Sequence, residues 1–471
     1  MKTPLLCTIV ALALALPGAA GAQFTGGTRI KGAYLGEDAR DLGLAPDGAE
    51  PAEARNASYV ELNPYLHWQF GDAGGLFMRA QLFTSGGDEV IQNEDELPVA
   101  ADNYAALREL WVEFGGLTSF PGEVMRLGLQ RVKEQDGLWW DRDIESLRWI
   151  FDTTLVQAQL GVAEQFGTWR SDDVELSPSQ KKRAYAFGSM TRQWSPGHFY
   201  GLRAAYAMDY GDLPVEGEAI EPDTKTRKRD YLWLGLRSEN GYYDPRNTSG
   251  SVYWFEAMAL AGRRESVSDT DPVTGEPTGT ANAPKEENVS ALAGDMGLRF
   301  RLPLIFPMNL GFMAAAAQGD RAGDQSHRFE QTGLESNRSR YTGTRTLIHR
   351  FNEALAADFS NLLAANAFIA MPYELADLSL VYHRFARHSG DEPISADGID
   401  ARPITDSRDI GTGWDFVATR YFRGFARQTS DDDEDARSNI RLRASRFTPG
   451  AAFGDEVKDQ YRVTAELTLW F

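Results

Sequence analysis

The sequence has a single cysteine, Cys7, and that residue lies in a segment with the features of a secretory signal peptide. Lys2 supplies the positive start, residues 5–16 supply an apolar core, and Ala20-Gly21-Ala22 forms an A-x-A cleavage site. Cleavage after Ala22 removes the only thiol. We therefore predict that residues 1–22 are removed and that the mature chain has no disulfide, which suits an oxidising compartment.

After residue 22 the sequence also lacks an apolar run of about 18 residues, so no transmembrane helix is expected. Motifs for catalysis are missing as well. The six histidines show no metal-binding spacing, and there is no G-x-S-x-G elbow, phosphate loop or dinucleotide fingerprint. We expect no enzyme activity, no metal, no cofactor and no nucleic-acid partner. An outer-membrane lipase or protease, the alternative from another class, would need a positioned nucleophile and base.

What the sequence has instead is a regular alternation of apolar and polar residues. In the last segment Val463, Leu467 and Phe471 alternate with Arg462 and Glu466, and similar segments occur at 59–70, 76–83 and 125–130. Successive side chains of a strand point to opposite faces, so one face suits lipid and the other a polar lumen. No second set of strands supplies a separate core. This predicts an all-β protein, a single transmembrane antiparallel β-barrel.

We place about 18 strands in the mature chain, residues 23–471. They are predicted at 28–36, 57–70, 75–84, 104–115, 122–131, 143–151, 154–166, 182–195, 198–211, 229–239, 249–262, 289–302, 307–319, 359–372, 377–388, 409–422, 437–447 and 459–471. Short turns with Gly or Pro alternate with long polar connections, a pattern typical of short periplasmic turns and long extracellular loops. An even number of strands puts both termini on the periplasmic side.

Two connections are candidates for gating the pore. The long extracellular loop 320–358 contains Arg338, Arg340 and Arg345. The other connection, 423–436, lies on the side where turns should be short and contains five consecutive acids at 431–435. Two interpretations of it stay open: a solvated acidic loop, or a periplasmic flap that covers the pore mouth.

Charge is distributed unevenly along this acidic chain, whose net charge is −20. Acids concentrate in the loops, whereas Arg441 and Arg443 lie two residues apart on the predicted inward face of one strand, and Arg29 and Lys31 do so on the first strand. Rows of guanidinium groups in a narrow tube select anions. An alternative stays open for each of these cations, namely that it simply pairs with a lumen acid.

Several sequence blocks resemble the alginate-export porin family, the outer-membrane channels that release the exopolysaccharide alginate. The blocks are RELWVE at 108–113, GLTSFPGE at 116–123, WDRDIE at 140–145, QTGLESNRS at 331–339, HRF at 349–351, NIRLR at 439–443 and FTPG at 447–450. They are spread over the mature chain, so the resemblance is essentially full length. The terminal Phe471 is also similar to the signal by which barrel assembly machinery recognises its substrates.

The resemblance implies an 18-stranded monomeric barrel with an electropositive constriction and a periplasmic loop that plugs the pore. Carried over by matching motif, the constriction comprises Lys31, Arg108, Glu109, Arg131, Asp141, Asp172, Arg338, Arg441, Arg443 and Glu466. Its arginines would contact uronate carboxylates, and its acids would orient the arginines. The chain departs from the family at Asn63, Asp143 and Leu347, with Arg79 and Arg340 as candidates to replace the missing charge.

The function that these features predict is passive, anion-selective export of alginate or a similar polyuronate from the periplasm to the cell surface. Expected partners are the polymer, outer-membrane lipid, a periplasmic export or synthesis machinery and the barrel assembly machinery. A porin that takes up oligouronates or other small anions remains the alternative.

Overall fold

The computed structural model describes residues 23–44, 54–70, 74–88, 103–118, 120–172, 174–221, 224–241, 250–269, 278–320, 325–422 and 437–471. Residues 1–22, the predicted signal peptide, and residues 423–436, the acidic connection, lie outside the described residues.

Eighteen long strands form the wall of a closed barrel, which confirms the predicted fold class and strand number. The strands are β1 (Gln23–Asp38), β2 (Arg55–Phe70), β3 (Gly74–Gly87), β4 (Asn103–Gly115), β5 (Glu123–Lys133), β6 (Asp141–Asp152), β7 (Val156–Glu164), β8 (Arg183–Ser195), β9 (His198–Asp209), β10 (Arg227–Glu239), β11 (Ser251–Ser266), β12 (Lys285–Leu302), β13 (Met308–Ala317), β14 (Leu362–Tyr373), β15 (Ala376–Arg387), β16 (Asp409–Tyr421), β17 (Asn439–Pro449) and β18 (Gln460–Trp470). Each strand pairs antiparallel with its sequence neighbours, and β1 pairs with β18 to close the sheet. Closure leaves no unpaired first or last strand, as a spanning sheet in lipid requires.

Short elements complete the described structure. They are a parallel extension at Gln325–Ser326, a small hairpin between Arg338–Ser339 and Ile348–His349, and a 3₁₀ turn at Ala451–Phe453. Over the described ranges, no helix is long and apolar enough to cross a membrane.

The predicted alternation sets which side chains face lipid. On β18, Val463 and Leu467 are 41% and 42% exposed on the outside, whereas Glu466 between them is 6% exposed on the inside. On β2 the outward Val60 is exposed and the inward Glu61 is buried. Side chains of a strand alternate between faces, so one sequence pattern builds both the apolar outer wall and a polar inner wall.

Connections at the two ends of the barrel differ in length. Turns such as 153–155, 196–197 and 374–375 join strands at the end that carries both termini, and connections at the opposite end are longer, which agrees with the predicted orientation. The connection 240–250 is a second long one at the turn end, which the sequence prediction did not single out.

The upper half of the β5–β6 hairpin leaves the wall. β5 pairs with β4 only up to Leu129, and β6 pairs with β7 only from Glu145 onward. Beyond those points, residues 130–144 (the inward hairpin) lie in the lumen and pair with residues near Leu334. The edge of β4 is covered instead by residues 169–171, which hydrogen-bond its backbone at Ala105 and Leu107.

Residues 325–361 (the inner segment) also lie in the lumen. They join β13 to β14 at the long-connection end, as predicted, yet they run the length of the barrel. Arg345 contacts Asp377 and the carbonyls of Tyr373 and Glu374, which belong to a turn at the opposite end. The inner segment therefore lines the wall from one mouth to the other.

Apolar packing holds the inward hairpin and the inner segment against the inside of the wall. Trp139, Trp140 and Phe351 pack in one buried cluster with inward side chains of the wall, among them Tyr231 and Trp233. This apolar cluster includes inward residues of the wall from Ala163 on β7 to Phe447 on β17. Buried charged side chains such as Arg203 on β9 and Glu256 on β11 lie on the same inner wall. Beside β1–β6 and β16–β18 the inward side chains include charged ones such as Glu61, Glu109 and Glu466.

Candidate functional site

Four predicted cations meet two carboxylates beside the first and last strands. Lys31 on β1 lies 3.0 Å from Glu466 on β18, and Arg441 and Arg443 on β17 lie 3.3 and 3.6 Å from the same carboxylate. The β-strand periodicity places Arg441 and Arg443 on one inward face, directly across from β18. The inner segment adds Arg338 and Glu353, completing what we term the terminal-strand cluster.

Glu353 connects the inner segment to the wall in this cluster. Its carboxylate lies 2.5 Å from Arg443 and 3.0 Å from Arg338. Burial favours a raised pKa for Glu353, but the charges of Arg338 and Arg443 outweigh burial and lower its pKa to about 2. Glu353 is therefore ionised at neutral pH.

A second group of charges, the hairpin cluster, lies where the inward hairpin faces β3 and β4. Arg131 lies 2.7 Å from Asp141, and Arg108 lies 2.7 Å from Asp143. Arg79 lies 2.9 Å from Glu109 and 3.8 Å from Asp143. Three cations and three carboxylates make up this cluster, so its charges balance.

A β-bulge explains why adjacent residues both belong to the hairpin cluster. Arg79 of β3 pairs with Glu109 of β4, but the next residue, Ala80, pairs with Leu107, so Arg108 is the extra residue. A bulge resets the alternation of faces. Arg108 and Glu109 can therefore both turn inward, which a regular strand would forbid.

The inner segment links the two clusters. The hydroxyl of Ser336 donates to Asp141 at 2.8 Å, and two residues later Arg338 reaches Glu353. Asp172, the remaining predicted residue, pairs with Arg170, whose guanidinium lies 3.7 Å from the ring centroid of Tyr104 on β4. The structure thus brings nine of the ten predicted residues into two connected clusters, and it places Asp172 beside the extracellular part of β4.

The residues where the chain departs from the family pattern have defined partners. Asn63 donates to Glu61 at 3.3 Å, and Glu61 also lies 3.6 Å from Arg29. The carbonyl of Leu347 accepts from Arg443 at 3.0 Å. Of the two candidate replacements, Arg79 joins the hairpin cluster, whereas Arg340 donates to the carbonyl of Arg345.

Sequence reasoning missed Glu353 and the role of Asp143. The resemblance gives Asp143 only as a departure from the family pattern, although it is the partner of Arg108. Glu353 lies in a connection, where no periodicity indicates direction. The signal that could have found it is the two-sided apolar character of β10 and β11, as in Tyr231-Leu232-Trp233-Leu234, because such strands need covering from inside.

Pairing decides what the site can do. Each of the six predicted cations lies near a carboxylate, so the alternative that lumen arginines pair with lumen acids holds for them individually. The terminal-strand cluster nevertheless has four cations and two carboxylates, a net charge of +2. Its Arg338 and Arg441 side chains are 25% and 20% exposed, so they can reach a solute in the lumen.

Groups suited to metal binding do not occur in the described ranges: no cluster of three or more His, Cys, Asp or Glu side chains has the required geometry.

Comparisons with known proteins agree on one family. A family model described as alginate export matches residues 23–464. The chain is 36% identical over 431 residues to alginate production protein AlgE of Pseudomonas aeruginosa, covering 89% of this chain and 86% of that protein. It is 33% identical over 476 residues to the protein of the same name from Pseudomonas syringae pv. tomato, covering 94% and 93%.

Solved structures with the same fold are outer-membrane proteins of low sequence identity. OpdK of Pseudomonas aeruginosa superposes with a TM-score of 0.52 at 11% identity, covering 96% of this chain and 100% of that one. OccAB1 of Acinetobacter baumannii gives 0.51 at 10% identity, covering 97% and 98%. At this identity the likeness supports the barrel fold alone.

Proposed function

Because the chain belongs to the alginate export family, we propose that it is a passive, anion-selective channel of the bacterial outer membrane that exports alginate or a similar polyuronate. The family and the barrel place it in that membrane, and channels of this family are not enzymes. The direction, periplasm to surface, and the anion selectivity are our proposal.

The observation that carries the proposal is the net positive charge of the terminal-strand cluster. Lys31, Arg338, Arg441 and Arg443 come from β1, the inner segment and β17, so three elements aim cations at one region of the lumen. A guanidinium offers a planar fork that matches a carboxylate in two hydrogen bonds. A polyuronate has one carboxylate on each sugar. Each carboxylate can therefore move from one guanidinium group to the next as the polymer advances.

The path of the polymer follows from where charged side chains line the lumen. The inward hairpin and the inner segment hold the apolar cluster inside the barrel, so the polymer would run along their charged sides, which face β1, β3, β4, β17 and β18. Both charge clusters lie along that path. We therefore assign the predicted constriction residues Lys31, Arg108, Glu109, Arg131, Asp141, Arg338, Arg441, Arg443 and Glu466 to it, and Asp172 with Arg170 to its extracellular end.

The carboxylates of the path have two effects in this proposal. Glu466 holds Arg441 and Arg443 in place, and it competes with the polymer for the same donors. An arginine that already has a partner binds an incoming uronate less tightly, so the polymer can leave as well as enter. Movement needs no chemistry from the channel, and its free energy comes from polymer synthesis in the periplasm or inner membrane.

Partners beyond the polymer belong to the same proposal. Residue Phe471 pairs with Thr28 by two backbone hydrogen bonds of 3.0 and 3.1 Å and so ends the seam that closes the barrel. Phe471 is 55% exposed, and we propose it as a contact for the barrel assembly machinery. We further propose that the channel is a monomer and that a periplasmic synthesis machinery delivers the polymer to it.

The reversal potential of the purified channel in a planar bilayer tests the proposal. Under a KCl gradient, we expect the sign that marks anion preference, and we expect a short oligouronate to interrupt the current more often than a neutral oligosaccharide of equal length. Cation preference would contradict the electropositive path. Equal block by both sugars would contradict uronate recognition.

A further inference from the structure

Glu353 is a buried carboxylate whose position in the inner segment is fixed from several directions. Its backbone N–H donates to Asp415 of β16 at 3.1 Å, and its backbone carbonyl accepts from Arg462 of β18 at 3.4 Å. Its carboxylate also accepts from the backbone N–H of His349 at 3.2 Å. The carboxylate is thus held by the fold itself, independently of the arginines that it contacts.

Two cations from different elements converge on this fixed carboxylate. Arg338, on the inner segment, contacts one oxygen, and Arg443, on the wall strand β17, contacts the other. Long arginine side chains lose considerable conformational entropy when they are held in one place. A fixed acceptor between them supplies the bonds that offset this loss, so both forks keep one orientation before a solute arrives.

Exposure shows which partner faces the lumen. The Arg338 side chain is 25% exposed, whereas the Glu353 side chain is 7% exposed. The carboxylate therefore lies behind Arg338, away from the path of the solute. Its negative charge still acts on the path, because it lies within direct contact of both guanidinium groups.

We propose that Glu353 is a positioning and specificity-determining residue of the channel: it orients Arg338 and Arg443 from behind and sets how strongly they hold a polymer carboxylate. The inference rests on the proposed function, since it assumes that uronates contact these arginines. It concerns a residue that does not itself touch the polymer, and it predicts separable effects for the orientation and the charge of the carboxylate.

Two variants of Glu353 separate these effects. Glu353→Asp keeps the charge, but its shorter side chain cannot reach both arginines. We expect its ion selectivity to match the unmodified channel, while each oligouronate block ends about three to ten times sooner because one fork is no longer preorganised. Glu353→Gln keeps the length and removes the charge, so we expect the anion-to-cation permeability ratio to rise about twofold or more.

Glu330 offers a matched control in the same inner segment. Its carboxylate is paired with Arg229 and Arg264 at 3.3 and 3.0 Å, on the inside of β10 and β11. Glu330→Asp and Glu330→Gln make the same chemical changes away from the path. If Glu353 only stabilised the inner segment, its two variants would have the same block duration and ion selectivity as the two Glu330 variants. We expect both Glu330 variants to retain the block duration and selectivity of the unmodified channel.

The measurement is single-channel recording of the full barrel in a planar bilayer with a purified oligouronate, after gel analysis shows that each variant is folded. Unchanged block duration in Glu353→Asp, or equal shortening in Glu330→Asp, would overturn the orienting role. Unchanged reversal potential in Glu353→Gln would overturn the effect on charge, and this isosteric variant remains a test if the shorter one does not fold. Failure of the unmodified channel to be blocked would refute the proposed function instead.

Discussion

Reversing the charge of Arg441 and Arg443 is the perturbation that bears most directly on the selectivity of the path. Both side chains face inward from β17 and contact Glu466, and Arg443 also contacts Glu353. Arg441→Glu with Arg443→Glu changes the terminal-strand cluster from a net charge of +2 to −2. The same carboxylates would then lie beside two new ones, with Lys31 and Arg338 as the remaining cations.

The size of the effect follows from Coulomb's law. In water, a unit charge about 8 Å from a permeating ion contributes roughly 0.5 kcal/mol, and salt at 0.1 M screens this by roughly half at that distance. A change of four charges therefore raises the free energy of an anion in the path by about 1 kcal/mol and lowers that of a cation by the same amount. Their relative preference shifts by about 2 kcal/mol, or roughly 30-fold in permeability ratio.

The assay is the reversal potential under a KCl gradient, with a control that reverses two arginines on the outer face. Arg446 lies on β17 itself and Arg384 on β15, and their side chains are 49% and 50% exposed. Arg384→Glu with Arg446→Glu should leave selectivity unchanged. A reversal potential that stays the same in the inward variant, or that moves equally in the outward control, would refute the assignment of these residues to the path. Arg441→Gln with Arg443→Gln changes two charges where the double Glu variant changes four. It should move the reversal potential in the same direction by about half as much.

Three further predictions concern the parts that shape the path. The guanidinium of Arg350 lies 2.9 Å from Asp295, so Arg350→Met leaves this carboxylate buried without that cation. In denaturant titrations, the free energy of unfolding should fall by about 3 to 5 kcal/mol. Adding Asp295→Leu to Arg350→Met should recover most of the loss. Gly235→Ala places a Cβ against the ring of Trp139 and should cost about 1 to 3 kcal/mol, whereas Gly32→Ala, which meets nothing within 4 Å, should be neutral. Burial lowers the pKa of His349 to about 3, below the ordinary 6.5, so its neutral form stabilises the fold above pH 6.5 and this contribution is lost as the pH falls. Between pH 6.5 and 4.5 the loss should be roughly 2 to 3 kcal/mol, and unfolding of His349→Gln should lack this part of the pH dependence.

The wall of the barrel could be predicted from the sequence because it depends on local pattern. Each of the 18 predicted segments overlaps one observed strand, since alternation such as that around Glu466 determines faces residue by residue. The ends were less well placed: β1 begins at Gln23 and not at residue 28, because the extension is held by pairing with β2 and has little alternation of its own.

The interior of the barrel could not be predicted in the same way. The inward hairpin leaves the wall because Trp139 and Trp140 pack in a buried cluster with residues of distant strands, such as Trp233 on β10. These contacts are remote in sequence. The fixed position of Glu353 depends likewise on Asp415 and Arg462, which only the closed barrel brings together. The resemblance to the family predicts the cations of the site. The carboxylate of Glu353 between Arg338 and Arg443 could be identified only from the structure.

Passage of the polymer itself is the most direct test of the central claim. Liposomes that contain the purified barrel and enclose a fluorescent oligouronate should release it, and they should release a neutral oligosaccharide of the same length and label more slowly. Arg441→Glu with Arg443→Glu should remove that difference. Equal or faster release of the neutral sugar from the unmodified channel would contradict a path built for polyuronates.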